Sequence, residues 1–493
     1  MEESVEQKGL TEELTPEKVN SKVKKGIAIL TIRTIFIQAI AFLSNVVILP
    51  LLLLPAQYGV FFLVSAVISF LAYFSDIGFA ASLIQKKDMP TDRDLKTIFT
   101  TQQVMVIGII VIVLLATPLF KNFYQFDDAA FYLLWALALS LFLSSLKTIP
   151  SVLLERRLEF NKLVIPQIFE TIIFNLSVVY FAWQGFGVTS FTIGVLLRGV
   201  IGVIATYIVQ PWIPGLSFSF QSFKSVLKFG IPYQTNTFLA MIKDDGMTLF
   251  LGSTLGVSGI GLLGWAQKWA YAPLRFFMDQ VIKVTFPAFS RLQNDKKELS
   301  NAVSKSIFFI CLLVFPSLVL LVLLVPSLTQ IIPKYHKWSP ALLALGLISI
   351  TSAFAAVTTP LTNMLNAIGK ISLTFKFMVM WTVLTWIFVP LLSYIYGVNG
   401  AAFGFSIVGA SSIVALIKSK EFIDINYLEV AGKPLLGALT LGLLVFILKI
   451  LLPTTFISVI LIGILGIALY TGLMFIIEPS LLKLVKNILN NKK

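Results

Sequence analysis

Residues 243–274 read KDDGMTLFLGSTLGVSGIGLLGWAQKWAYAPL, and this stretch decides the fold class. It covers the end of one long apolar run and the start of the next, with Lys243, Asp244 and Asp245 in the first and Lys268 in the second. An ionised side chain at the centre of a bilayer costs about 2.5–3.5 kcal/mol, so such groups face protein or water rather than lipid. The stretch therefore predicts two consecutive membrane-spanning helices that contribute charges to a protein interior.

The composition of the whole chain agrees with this prediction. Of its 493 residues, 57% are hydrophobic and only 13% are charged, whereas a soluble domain has about 25% charged residues. This excludes a disordered chain and a soluble multi-domain enzyme. One cysteine and one histidine leave little for a disulfide framework or a metal site, and we expect no cofactor. The sequence predicts an all-α polytopic membrane protein.

A membrane-spanning helix needs about 20 mostly apolar residues. By this measure the sequence predicts about 14 transmembrane helices. The predicted spans are 26–54, 59–84, 97–119, 129–150, 163–184, 188–210, 229–254, 260–288, 306–326, 339–366, 371–396, 400–417, 434–452 and 455–477.

The basic residues set the predicted orientation. With the N-terminus inside, 26 of the 38 Lys and Arg residues fall in cytoplasmic loops and tails, and nine fall within spans. The outward loops hold only Lys121, Lys334 and Lys337. Cytoplasmic loops of membrane proteins carry an excess of Lys and Arg, so both termini are predicted to be cytoplasmic, in the cell membrane. The net charge of +14 is then a topology signal, and we expect no nucleic-acid partner.

The chain is predicted to contain two tandem six-helix lobes, related as parallel repeats, and two further C-terminal helices. The predicted divisions are a tail at 1–25, an N-lobe at 26–210, an amphipathic linker at 211–228, a C-lobe at 229–418, two helices at 419–478 and a tail at 479–493. A weak internal repeat favours this organisation. Leu53–Gly59 (LLPAQYG) and Leu255–Gly261 (LGVSGIG) lie 202 residues apart, each between the first and second span of its half.

Charged residues inside spans are the candidate functional groups. The predicted cavity cations are Arg33, Arg198, Lys243 and Lys268, with pairing between helices as the alternative. The predicted coupling or pairing acids are Asp76, Glu170, Asp244 and Asp245. Asp76 is also a candidate cap inside a broken helix, and Glu170 a candidate partner of Arg156 or Arg157 or a proton relay. Lys147 and Lys449 lie near span ends, where extension to the interface is the favoured interpretation.

Enzyme motifs are absent from the sequence. It contains no P-loop, no dinucleotide-binding glycine pattern and no histidine spacing typical of zinc sites. The predicted outward loops are also too short for a folded external catalytic domain, which argues against a glycan polymerase or ligase. The intramembrane charges are net positive by four, which favours an anionic cargo.

Five stretches in order resemble the polysaccharide-exporter branch of the MOP flippase superfamily, which includes the Wzx-type oligosaccharide flippases. They are LLPAQYGVFFLVSA at 53–66, DIGFAASLIQKKD at 76–88, LLERRLEFNKL at 153–163, the stretch at 243–274 and FPAFSRLQNDKKEL at 286–299. Two positions depart from the family pattern. Residues 48–51 lack an arginine that the family often has there, and Lys268 stands where apolar residues are common.

The resemblance implies a flippase that translocates a lipid-linked oligosaccharide on an undecaprenyl-pyrophosphate carrier for surface polysaccharide biosynthesis. It implies alternating access of two lobes, with H⁺ or Na⁺ as the candidate coupling ion. A polysaccharide polymerase and glycosyltransferases are the expected protein partners. The alternatives are a drug/cation antiporter or a lipid II flippase of the same superfamily, and an embedded glycan polymerase or ligase.

Overall fold

The computed structural model describes residues 16–75, 78–85, 90–124, 126–220, 223–224 and 238–482. Over these residues the chain forms helices and short connections, with no strand. Within the described part of the chain, twelve helical segments are long and apolar enough to cross a membrane. The prediction of an all-α polytopic membrane protein is confirmed.

The helices follow the apolar runs of the sequence. The long ones are α1 (Pro16–Phe42), α2 (Pro55–Ala72), α3 (Asp92–Tyr124), α4 (Asp128–Leu146), α5 (Phe160–Trp183), α6 (Thr189–Val209), α7 (Met247–Pro273), α8 (Asp279–Arg291), α9 (Lys296–Ile331), α10 (Leu342–Ala367), α11 (Ile371–Ser411), α12 (Gly432–Leu451) and α13 (Phe456–Ile477). Shorter helical pieces are Leu43–Ile48 and Leu49–Leu52 after α1, Tyr73–Ser75, Phe79–Gln85, Thr148–Arg156, Ile242–Gly246, Leu274–Met278, Pro333–Ala341, Ile413–Ser419 and Tyr427–Val430.

Two of the twelve segments are much longer than one membrane crossing. Phe238–Arg291 has 54 residues and Ile371–Ser419 has 49, against about 20 for a single span. Each contains one glycine with left-handed backbone, Gly256 (φ 65°) and Gly397 (φ 60°), a conformation that other residues rarely adopt. The predicted count of about 14 helices requires each segment to cross twice, and that count stays a prediction.

Polar caps mark where several helices begin. The Asp127 carboxylate accepts a hydrogen bond from the Ala130 amide at 2.9 Å at the start of α4. Asp295 accepts from the Lys297 and Glu298 amides, both at 3.0 Å, at the start of α9. These side chains satisfy amides that have no partner within the helix. The sequence thus fixes these helix ends with local chemistry.

A buried apolar core joins the two halves of the chain. It runs from Val46 and Tyr58 in the first half to Trp265 and Trp338 in the second, and it includes a stacked pair of indole rings, Trp265 and Trp338, with centroids 5.4 Å apart. A second core packs α9 and α10 against α12 and α13. Elsewhere large apolar side chains are exposed, as on α13, where Ile476 is 77% exposed. This exposure fits a helix that faces lipid.

Helices α2 and α7 approach each other closely in a reciprocal contact between the two halves of the chain. A Cβ atom placed on Gly59 would overlap the Val257 carbonyl oxygen, and one placed on Gly261 would overlap the Pro55 carbonyl oxygen. Val257 and Gly261 lie 202 residues after Pro55 and Gly59, the offset of the sequence repeat. Small residues allow helix backbones to approach this closely. The geometry supports the predicted repeat, while the division into two lobes stays a prediction.

Two aromatic residues after α9 hold the end of the first helix. Pro50 has no N–H, so the Val46 carbonyl lacks its usual partner within the helix. The Tyr335 hydroxyl donates to the carbonyls of Val46 and Val47, at 3.0 and 2.6 Å. The Trp338 indole N–H donates to the Pro50 carbonyl at 2.9 Å. The second half thus supplies the Val46 carbonyl with the donor that Pro50 lacks, and it also pairs the Val47 and Pro50 carbonyls near the end of this helical segment.

Only part of the predicted linker at 211–228 is described. Residues 211–219 are not helical and lie along α3, where Trp212 packs edge-on against Phe99 at 5.1 Å between centroids. The Ser217 amide donates to the Thr100 hydroxyl at 3.1 Å. The amphipathic character predicted for this linker rests partly on residues 221–222 and 225–228, which lie outside the described residues, as does Asp76.

Candidate functional site

A charged cavity of about 450 Å³ lies within the first half of the chain. Ligand pockets of proteins commonly have volumes of about 300–1,000 Å³. Its charged lining residues are Arg33 from α1, Lys147 after α4, Glu155 from the short helix that follows, Glu170 from α5 and Arg198 from α6. Its polar lining includes Ser144, Thr148, Ser151, Gln167, Thr171 and Thr206. Three cations thus face two carboxylates in a chamber with many hydroxyl groups.

Glu170 is the centre of this charge cluster. Lys147 Nζ lies 2.5 Å from Oε1 of Glu170, and Arg198 Nε lies 3.6 Å from Oε2. The Lys147 and Glu170 side chains are 15% and 10% exposed. A Cβ atom on Gly202 of α6 would overlap Glu170 Oε1, so the glycine makes room for the carboxylate. The packing of α5 on α6 therefore holds Glu170 in one place.

Arg198 and Arg33 are less constrained than Lys147. The Arg198 side chain is 53% exposed, and its guanidinium lies 5.7 Å from the Phe174 ring centroid. Such a contact stabilises a cation without neutralising it. Arg33 Nε is buried and has no hydrogen-bond partner among the described residues. Both guanidinium groups therefore have binding capacity to offer an anion in the cavity.

Glu155 lies at the end of the cavity that is predicted to be cytoplasmic, outside the predicted spans. Burial raises the pKa of its carboxyl group above the usual range. Protonation of Glu155 would leave three cations facing Glu170 alone. The cavity thus extends from the predicted cytoplasmic connection after α4 to Arg33 and Arg198 within the predicted membrane region.

A second, smaller cavity of about 200 Å³ lies between α2 and the second half of the chain. Ser65 and Ser69 line one side, and Asp245, Thr248 and Gln267 line the other. Because the cavity lies where α2 contacts α7, its shape depends on how the halves meet. Its one charged lining residue among the described residues is the carboxylate of Asp245.

Lys268 does not line either of these cavities. Its ammonium group lies 5.6 Å from the centroid of the Phe62 ring, on the neighbouring helix α2. Lys243 forms an ion pair with Asp244, the next residue, in the wide helical turn Ile242–Gly246. The structure thus brings together Arg33 and Arg198 of the four predicted cavity cations, and places Lys243 and Lys268 elsewhere.

Glu170 pairs with Lys147 and Arg198 and not with its candidate partners Arg156 and Arg157, while its alternative role as a proton relay stays a prediction. Arg156 donates instead to the carbonyls of Leu83 and Ile84, and Arg157 donates to the Gln210 side chain at 3.3 Å. The carboxylate is out of their reach because it turns toward α6 and the end of α4. The preferred interpretation of Lys147, extension to the interface, was also wrong, because its ammonium is buried against Glu170.

Comparisons with known proteins agree with this architecture. A family model described as polysaccharide biosynthesis protein matches residues 48–342. The chain is 24% identical over 358 residues to lipopolysaccharide biosynthesis protein WzxC of Escherichia coli (strain K12), covering 71% of each chain. It is 23% identical over 460 residues to succinoglycan biosynthesis transport protein ExoT of Rhizobium meliloti (strain 1021), covering 89% of this chain and 90% of ExoT.

A solved structure shows the same fold. The lipid II flippase MurJ, in a conformation described as inward closed, superposes with a TM-score of 0.75 at 17% identity. The match covers 92% of this chain and 99% of that chain. At this identity the likeness establishes the fold alone. Together with the family match, it confirms the resemblance found in the sequence.

Proposed function

Because the chain belongs to the polysaccharide biosynthesis protein family and has the fold of the MOP superfamily flippases, we propose that it translocates a lipid-linked oligosaccharide across the cytoplasmic membrane. The carrier is an undecaprenyl pyrophosphate and the product feeds surface polysaccharide assembly. The observation that supports this cargo is the cavity that joins Arg33, Lys147 and Arg198 to a row of hydroxyl groups. Guanidinium and ammonium groups suit pyrophosphate, and the hydroxyls suit sugars.

The proposed mechanism is alternating access. In the predicted orientation the Gly59–Gly261 contact lies at the outer end of the molecule, together with the hydrogen bonds from Tyr335 and Trp338. The charged cavity lies toward the cytoplasmic end. The cargo head group enters from the cytoplasm, and separation of α2 from α7 then opens the outer end. The lipid tail stays in the bilayer beside the exposed apolar helix faces.

The energy source is a separate part of the proposal. The chain carries no nucleotide-binding motif, so an H⁺ or Na⁺ gradient, the membrane potential or consumption of the product outside drives transport. Glu170, Asp244 and Asp245 are the described candidate groups for ion coupling, and Asp76 is a further candidate. Glycosyltransferases supply the cargo, and a polymerase uses the product.

Among the alternatives, the cavity disfavours a drug/cation antiporter, because its three cations outnumber its two carboxylates and the excess positive charge would repel a cationic drug. Lipid II shares the prenyl pyrophosphate group, so the cavity itself does not separate it from other lipid-linked glycans.

Deletion of the gene in its host tests the proposal. We expect loss of surface polysaccharide and accumulation of the lipid-linked oligosaccharide on the cytoplasmic face, both reversed by the wild-type gene. Normal surface polysaccharide with blocked lipid II translocation would instead identify the cargo as lipid II. Normal surface polysaccharide and normal lipid II translocation would contradict a flippase role.

A further inference from the structure

The two cations that contact Glu170 are held very differently. Lys147 is buried with the carboxylate at 2.5 Å, whereas Arg198 lies at 3.6 Å and is half exposed to the cavity. A buried ion pair that loses one partner leaves an uncompensated charge, which is strongly unfavourable. A loose, partly solvated contact contributes little. Lys147 is therefore fixed to Glu170, and Arg198 is free to change partner at low cost.

The surface of α6 also has a space that accommodates the Glu170 carboxylate. Gly202 leaves space on α6 that any larger side chain would fill, and the carboxylate occupies that space. Lys147 alone would be sufficient to neutralise Glu170. The second contact therefore serves Arg198, whose guanidinium is half exposed to the cavity and also lies near the Phe174 ring.

We propose that Glu170 is a resident counter-anion for Arg198, which the anionic head group of the cargo displaces. In the structure the Arg198 guanidinium lies beside Glu170. When a diphosphate enters, the Arg198 guanidinium turns to it, while Glu170 keeps its ion pair with Lys147. When the cargo leaves, Glu170 takes Arg198 back. This inference rests on the proposed function, because it assigns a role to Glu170 within the same cavity.

The displaced contact has a consequence for transport. A carboxylate beside the bound diphosphate repels it and competes for Arg198, so it weakens binding and speeds release. A transporter that binds its cargo too tightly is slowed at the release step. Glu170 is thus a positioning residue that sets affinity, and its removal should lower KM and kcat together.

The test is binding of farnesyl diphosphate, a soluble prenyl diphosphate, to the purified full-length protein by calorimetry at fixed salt and pH. We expect Glu170→Gln to tighten binding by roughly tenfold, within the usual range of coupling between two ligand-sensitive groups. Arg198→Gln should weaken binding. In the double variant the effect of Glu170→Gln should largely vanish, because its benefit acts through Arg198.

Two further variants complete the experiment. Glu170→Asp keeps the negative charge but shortens the side chain, which draws the carboxylate away from Arg198 and from the bound diphosphate. It should tighten binding relative to the wild type, though by less than Glu170→Gln, and it supplies the test by itself if Glu170→Gln does not fold. Glu478→Gln is the matched control, because Glu478 pairs with Lys433 at 2.7 Å away from the cavity. It should leave the affinity unchanged.

Unchanged or weaker binding by both Glu170 variants would overturn the counter-anion role, and so would absence of binding by every variant. Complementation of the deletion strain separates the two proposals. If the wild-type gene restores surface polysaccharide while the Glu170 variants bind as the wild type does, only the role of Glu170 fails. If it restores neither surface polysaccharide nor lipid II translocation, the proposed function fails.

Discussion

Gly59 and Gly261 lie against each other although 202 residues separate them. A Cβ atom on Gly59 would lie 2.8 Å from the Gly261 backbone nitrogen, and one on Gly261 would lie 3.1 Å from the Gly59 nitrogen. Each glycine also faces a carbonyl oxygen of the other helix, at equivalent positions in the repeat. The contact is nearly the same from either side, which is what the predicted repeat of one motif would produce.

Alanine at either glycine should force the two helices apart. The new Cβ meets backbone rather than a flexible side chain, and overpacking of this kind costs about 1–3 kcal/mol. We expect Gly59→Ala and Gly261→Ala to lower the melting temperature of the purified protein. Gly108→Ala on α3 is the control, because nothing lies within 4 Å of its added Cβ. Equal melting temperatures for all three variants would contradict the close contact.

The hydrogen bonds from Tyr335 and Trp338 allow an independent test of whether contacts at the predicted outer end keep that end closed. Tyr335→Phe removes the donor to the Val46 and Val47 carbonyls and leaves buried acceptors unpaired, which costs about 1–3 kcal/mol. We expect a lower melting temperature and easier opening, measured as faster labelling of a cysteine introduced at Ser65. Tyr394→Phe is the control, since that ring is 86% exposed. A variant as stable and as closed as the wild type would refute the role of Tyr335.

The predicted orientation can be tested with single cysteines. Cys311 is fully buried, so Cys311→Ser provides a background without reactive thiols. His336→Cys lies in a predicted outward loop and Asn294→Cys in a predicted cytoplasmic loop, and both positions are exposed. In intact cells a membrane-impermeant maleimide should label position 336 and not position 294. The reverse pattern would invert the topology and the side to which the charged cavity opens.

The fold class could be predicted from the sequence because the properties that indicate it do not depend on which helices are neighbours. Apolar length and the asymmetry of basic residues are visible along the chain, and so is the repeat that ends at Gly59 and Gly261. The site was harder, because a charge in a helix does not reveal which neighbour it faces. Arg198 lies near the centre of its predicted span and was therefore a candidate, and the structure places it on the charged cavity. Lys147 lies at a span end, where extension to the interface is the ordinary outcome.

The contacts of Lys243 and Glu170 could not be predicted from residue spacing, because they depend on how the helices pack. Among the described residues, Lys243 pairs with Asp244, its neighbour in a wide helical turn, and not with a residue of another helix. Glu170 turns toward α6 because Gly202 leaves space there, a relationship between residues 32 positions apart. The sequence signal for this site was a glycine, Gly202, in the helix that follows the one with the intramembrane carboxylate.

Transport by the purified protein is the most direct test of the central claim, that the cavity of Arg33, Lys147 and Arg198 carries a diphosphate-linked glycan. The protein is reconstituted in liposomes with a fluorescent prenyl-diphosphate-linked disaccharide, and dithionite measures the fraction that reaches the outer leaflet. We expect Arg33→Gln/Arg198→Gln to slow translocation by tenfold or more, about 1.4 kcal/mol, with Lys449→Gln unchanged. Translocation by the double variant at the wild-type rate would contradict the claim.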